Sequence, residues 1–144
     1  MKKIVSYLLR AMLRSNSFFA EKSQRAVDAR IAAGLEKWVE DKGFCRSDQS
    51  LEDVAALFDV SAEALSFYCS AVMGERFSTM RKNLRLHEAR RLIAENPREH
   101  LTKIAYSVGI LDKGNFRKQF YGLFRCTPGE WREDCLRREG GKKR

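Results

Sequence analysis

The chain has 144 residues, with 28 Lys and Arg against 19 Asp and Glu, a formal net charge of +9. That length holds one domain or two small ones and leaves no room for a large effector domain beside them. Two prolines, nine glycines and no long Val/Ile/Thr alternation argue against disorder or a β-rich fold and point to an all-α protein.

Residues 1–21 open with two lysines and a short apolar run that Arg10 and Arg14 interrupt. It is too short to span a membrane and lacks a small-residue cleavage pattern. Ile4, Leu8 and Met12, with Val5, Leu9 and Leu13 one step on, predict an amphipathic helix. Its readings, in order, are docking on the domain, pairing with a second copy, and lying on a membrane surface.

Residues 22–41 read as a helix buried through Val27, Ile31, Leu35, Trp38 and Val39, with Gly43 placed to end it. A polar loop follows at 45–50. Ser50 caps the next helix, whose first turn holds Glu52 and Asp53. In residues 51–74 Ser61 starts a further helix and Gly74 ends it.

One long helix is expected over 76–95, closed by Asn96-Pro97. Phe77, Met80 and Leu84 lie on one side of it, and Leu86, Ala89 and Ile93 roughly opposite. A helix buried on one side early and on the other late can hold two subdomains at a set angle.

Residues 101–132 carry the strongest pattern. Leu101, Ile104, Ala105 and Val108 bury one helix face, Gly109 makes a tight turn, and Asp112 caps a second helix. There Phe116, Phe120, Leu123 and Phe124 share a face, with Lys118, Tyr121 and Arg125 opposite and Asn115 and Arg117 on the flanks. Thr127, Pro128 and Glu130 form the start of another helix, a capping box with proline in its first turn. Two helices joined by a short turn, the second basic outside, describe a DNA-binding helix-turn-helix. A frayed basic tail is expected over 137–144.

The residues Ile104, Ala105, Val108, Gly109, Ile110, Asn115, Phe116, Phe120, Thr127, Pro128, Trp131 and Arg132 resemble the second helix-turn-helix of the AraC/XylS family of bacterial transcription regulators. Ile110 stands where that family usually has Phe, and Arg125 where it usually has Gly. Arg85, Leu86, Ala89, Leu92 and Ile93 are similar to the family's linker, with Met80 in place of an aromatic. The resemblance begins near Ile31. Within the chain, Val54-Ala55 recur as Ile104-Ala105, and Leu65 and Cys69 as Phe116 and Phe120, so the fold reads as an internal duplication.

The expected architecture is all-α and homeodomain-like: two helix-turn-helix subdomains joined by a long linker helix, with an N-terminal helical extension. Its parts are an arm at 1–25, subdomains at 26–75 and 96–136, the linker at 76–95 and the tail at 137–144.

Charge separates the halves. Residues 1–75 carry 10 basic and 11 acidic residues, −1, whereas residues 76–144 carry 18 and 8, +10. This suggests a polyanion partner for the C-terminal half; a merely well-solvated basic surface is the alternative. The four cysteines show no C-x-x-C pair, and reduced thiols are expected, with Cys69 and Cys126 as small core residues. His87 reads as a helix-surface residue and His100 as a loop or first-turn residue. No motif for catalysis, a cofactor or a metal is present.

The resemblance places base-reading positions at Lys113, Gly114, Arg117 and Lys118; Asn115 beside Gly114 leaves space for close approach to the groove. Arg81 and Lys82 are expected to set phosphate affinity or solubility. On the first recognition helix the outer face is Glu63, Ser66, Phe67 and Ser70. Phe67 either touches a thymine methyl, serves a protein partner, or is buried under the N-terminal helices.

The resulting expectation is a cytoplasmic bacterial regulator, with activation as the working assignment. It binds double-stranded DNA mainly through the second recognition helix, uses no cofactor and is not an enzyme. RNA polymerase and a homodimer through the N-terminal helices are the further partners considered. Two alternatives stay open: a protein-interaction module that kept the fold but lost operator binding, and the C-terminal part of a larger sensor.

Overall fold

The computed structural model describes the backbone of residues 2–142 and, within the first helix, the side chains of Ser6, Leu8 and residues 20 onward. Helix α1 runs over Lys2–Glu40. A break is expected near residue 21. The backbone passes both that point and residue 25 without interruption, because no glycine or proline precedes Gly34. The expected stripes at Ile4, Val5, Leu9, Met12 and Leu13 lie outside the described side chains, and Leu8 is exposed.

Ile31, Leu35 and Trp38 bury the C-terminal part of α1, while Val39, expected on the same stripe, is 37% exposed. Gly43 does not supply the left-handed residue that ends this helix; Lys42 does, at φ 55°. Gly43 instead starts a 3-10 turn, Gly43–Cys45, beneath the Trp38 indole. A Cβ there would stand 2.3 Å from the ring, so contact, not φ, demands glycine.

Helices α2, Leu51–Leu57, and α3, Ala62–Ala71, form the first helix-turn-helix. Ser50 and Asp53 exchange hydrogen bonds at 3.1 and 2.9 Å in a capping box, which holds the Asp53 carboxyl below its ordinary pKa. Ser61 accepts from the Ala64 N–H at 3.1 Å, and Gly74 takes φ 74°.

Helix α4, Phe77–Glu95, serves two cores. Phe77 and Met80 join Ile31, Trp38, Val54 and Leu65 in the first, with Leu84 half-buried against it. On the other side Leu86, Ala89 and Ile93 join Ile104, Val108, Phe116 and Phe120 in the second. The opposed stripes therefore make α4 a strut between both helix-turn-helix units.

Helices α5, Leu101–Ser107, α6, Lys113–Phe124, and α7, Pro128–Lys142, complete the chain. The expected frayed tail is helical through Lys142. Pairs Arg98–Glu139 at 3.1 Å and Arg138–Asp134 at 3.0 Å, with Arg138 stacked over Trp131, line its last turns. Cys69 is buried and Cys126 half-buried as expected, and Cys135 is also buried. Leu123 is 36% exposed, not part of the core stripe, whereas Phe124 packs on Phe120 with ring centroids 4.7 Å apart.

The Lys42–Arg46 turn couples the halves. Arg85 donates from Nε to the Phe44 carbonyl at 2.5 Å and from Nη2 to the Arg46 carbonyl at 2.9 Å. Cys45 packs against both cores. Lys42 Nζ reaches Glu88 on α4 at 2.9 Å. These contacts set α3 and α6 in one frame.

Candidate nucleic-acid interface

Helix α6 is fixed from its start. The Asp112 carboxylate accepts from the Asn115 N–H at 2.7 Å, and Gly109 at φ 90° turns the chain into it. Phe116 and Phe120 are 3% and 0% exposed, so their face is committed to the core. Helical geometry then sends Lys113, Gly114, Arg117 and Lys118 outward, and all four are exposed, as is Asn115. The end of α6 is held by Arg125 in the left-handed region, φ 59°, where its N–H bonds the Tyr121 carbonyl at 2.8 Å.

The predicted residues divide into two sets. Asn115 and Lys118 line one groove with Lys82 and Gln119, which brings a linker cation beside the recognition helix. On the opposite flank Lys113, Gly114 and Arg117 line a hollow with Thr102, Thr127 and Pro128. Glu130 in that region is held below its ordinary pKa by the Thr127 N–H and hydroxyl, with Arg117 adding to the effect.

Arg81 also serves the fold. It donates from Nη1 to the Gln49 carbonyl at 2.7 Å and lies over the Phe77 ring at 5.1 Å. Its guanidinium thus ties α4 to the first unit. Half-buried Gln119 was not singled out from sequence, since a polar residue beside a core stripe gives no signal until α4 is placed against α6.

Helix α3 faces outward through Glu63, Ser66, Phe67 and Ser70. Phe67 is 67% exposed, so it does not lie under the N-terminal helix; Leu57, Val72 and Met73 are exposed in the same unit. Residues 45–75 hold one basic against six acidic residues, −5, and residues 101–132 hold six against two, +4. The duplication conserves the scaffold and inverts the charge.

The helix-turn-helix domain family of the AraC type matches residues 54–134. The chain belongs to this family. The match marks the chain as a DNA-binding transcription regulator. Similar folds include the C-terminal domain of AraT, a response regulator from Geobacillus stearothermophilus, with a TM-score of 0.65 and 23% identity over 73% of this chain and 84% of that one. The C-terminal domain of the two-component response regulator yesN from Fusobacterium nucleatum gives 0.60 and 23% over 67% and 92%. A DNA-binding transcriptional dual regulator from Escherichia coli K-12 gives 0.62 and 17% over 77% and 93%. No curated protein matches the sequence. Among the described residues no single helix is long and apolar enough to cross a membrane.

Proposed function

We propose that this AraC-type domain reads a specific duplex sequence in the major groove mainly through α6, with α3 as a weaker second head. The observation that carries this is the contrast between the two outer faces. Lys113, Arg117 and Lys118 stand free on α6, whereas α3 presents Glu63, Ser66, Phe67 and Ser70. Arg and Lys can donate to guanine O6 and N7 or to phosphates. Glu63 repels phosphates unless it accepts from a base amino group such as cytosine N4, and Phe67 offers a thymine methyl contact at most. Lys82, beside Lys118, adds a phosphate contact, and Arg81 contributes through the fold. A half-site well specified under α6 and loosely specified under α3 follows, in successive major grooves about 34 Å apart.

Selection of bound sites from random duplex DNA tests this reading. One conserved half-site beside a degenerate one is expected, with log affinity falling against log salt by about 0.9 per phosphate neutralised. A flat salt response, or no enriched sequence, contradicts it.

The exposed Phe67 favours a second reading in which the α3 face binds a protein, RNA polymerase among the candidates. Pairing of two copies through the segment before residue 25 and a cytoplasmic location complete the proposal.

A further inference from the structure

Helix α1 reaches the first core only late. Val27 is the first described side chain that packs there, while Ser6, Leu8 and every residue from Ala20 to Ala26 are exposed. The helix is unbroken from Lys2, so about 37 Å of it, at roughly 1.5 Å per residue, precedes Val27. An unbroken helix cannot fold back, and its own domain therefore leaves this arm uncovered.

The arm has two unlike faces. At about 100° per residue, the positions of Ile4, Leu8, Leu9, Met12, Leu13 and Phe19 fall on one arc of about 180°. Ser15, Asn16 and the first-turn Lys2 are the polar positions within it. Leu8, inside that arc, is 54% exposed. Lys3, Ser6, Arg10, Arg14 and Ser17 share the opposite side. Residues 1–20 hold four basic residues, Lys2, Lys3, Arg10 and Arg14, and no Asp or Glu, so +4.

This pattern selects what covers the arc. The seam between two paired helices is narrow, and an arc this wide leaves much apolar surface bare in such a pair. Pairs of that kind are also tied by opposite charges along their edges, and two copies of this arm bring cations alone. A bilayer surface covers the whole arc at once, and anionic headgroups match the cations of the other side. No single helix among the described residues is long and apolar enough to cross a membrane.

We propose that residues 2–20 are a surface anchor for a membrane that carries anionic lipid. The arm lies along the headgroup layer with the Leu8 side towards the acyl chains and Lys3, Arg10 and Arg14 among the phosphates. The α6 face takes no part, so this goes beyond the DNA reading. One arc cannot face lipid and a second arm together, so a pair formed in solution gives way on the membrane.

Flotation of the full chain, without DNA, on vesicles of phosphatidylcholine and phosphatidylglycerol tests the anchor. Vesicles of phosphatidylcholine alone are expected to bind at least about tenfold more weakly. The basic α6 face is also drawn to anionic lipid, so variants isolate the arm. Leu8→Asp, and independently Arg10→Glu with Arg14→Glu, are expected to weaken flotation at least about tenfold. Lys118→Ala is expected to leave it within about twofold. The arm precedes Val27, so these changes leave both cores intact. Flotation is expected whether or not the chain pairs in solution, which separates failure of the pairing from failure of the anchor. Equal flotation on neutral and anionic vesicles, a loss with Lys118→Ala as large as with Leu8→Asp, or a stable pair that does not float overturns the proposal.

Discussion

Gly109 meets the carbonyl oxygen of Cys45. A Cβ on Gly109 would stand 2.5 Å from that oxygen and 3.2 Å from the Arg85 guanidinium carbon, at a φ of 90°. The turn of the second helix-turn-helix is thereby pressed against the turn that ends the first unit's opening helix. The neighbour is backbone, so it cannot rotate away. Gly109→Ala is expected to cost at least about 2 kcal/mol from backbone conformation and crowding together. Urea unfolding measures this, and a loss below about 0.5 kcal/mol would show that the contact yields easily.

Glu88 supplies a pH signature for the same junction. Hydrogen bonds from Arg91 and then Lys42 hold its carboxyl at about 2, below the ordinary 4.5. A folded pKa below the unfolded one gives stability that is complete above pH 4.5 and lost as pH falls towards 2. Arg91 and Lys42 are 44% and 51% exposed, so solvent screens the pairs. Glu88→Gln is expected to cost about 1–2 kcal/mol at neutral pH and almost nothing near the acid end. Stability curves of the two proteins that stay parallel from neutral to acid pH would remove Glu88 as the titrating group.

Arg125 occupies a position that suits glycine. At φ 59° and ψ 21° it carries a side chain in the left-handed region, which costs an L-residue roughly 1–2 kcal/mol. Arg125→Gly is expected to raise stability by about 0.5–1 kcal/mol, since added unfolded-state freedom offsets part of the relief. A fall in thermal midpoint would mean that Arg125 makes a compensating contact.

What was legible in the sequence was local. Ser50, Ser61, Asp112 and Thr127 cap helices because each cap needs only residues within three positions. The opposed stripes of α4 were readable because helical phase fixes them. Through-space contacts were not readable. Lys42, not Gly43, takes the left-handed position, and the Trp38 ring, remote from any local pattern, is what requires glycine at 43. Arg85 matches a family linker position that admits a structural role, but its partners, the Phe44 and Arg46 carbonyls, lie about forty residues away and emerge only from the packing. A frayed tail is expected from residue 137, yet α7 continues through Gly140 and Gly141, with Arg98 from the loop before α5 paired to Glu139. On α6, the outward placement of Arg117 and Lys118 followed from the Phe116 and Phe120 stripe, and that of Lys113 from the family resemblance. The groove joining Lys82 to Lys118 required the packing of α4 on α6.

In the proposed reading α6 reads the sequence and α3 adds little. Footprinting and affinity on one selected site, compared for Arg117→Ala, Lys118→Ala, Glu63→Ala and Phe67→Ala, test it most directly. Loss of a base contact is expected to cost about 1–3 kcal/mol in either α6 variant, with relaxed specificity at that base. Glu63→Ala and Phe67→Ala are expected to leave specific affinity within about 0.5 kcal/mol of the parent, the ordinary range for surface changes. Equal weakening by the α3 and α6 substitutions would contradict the account.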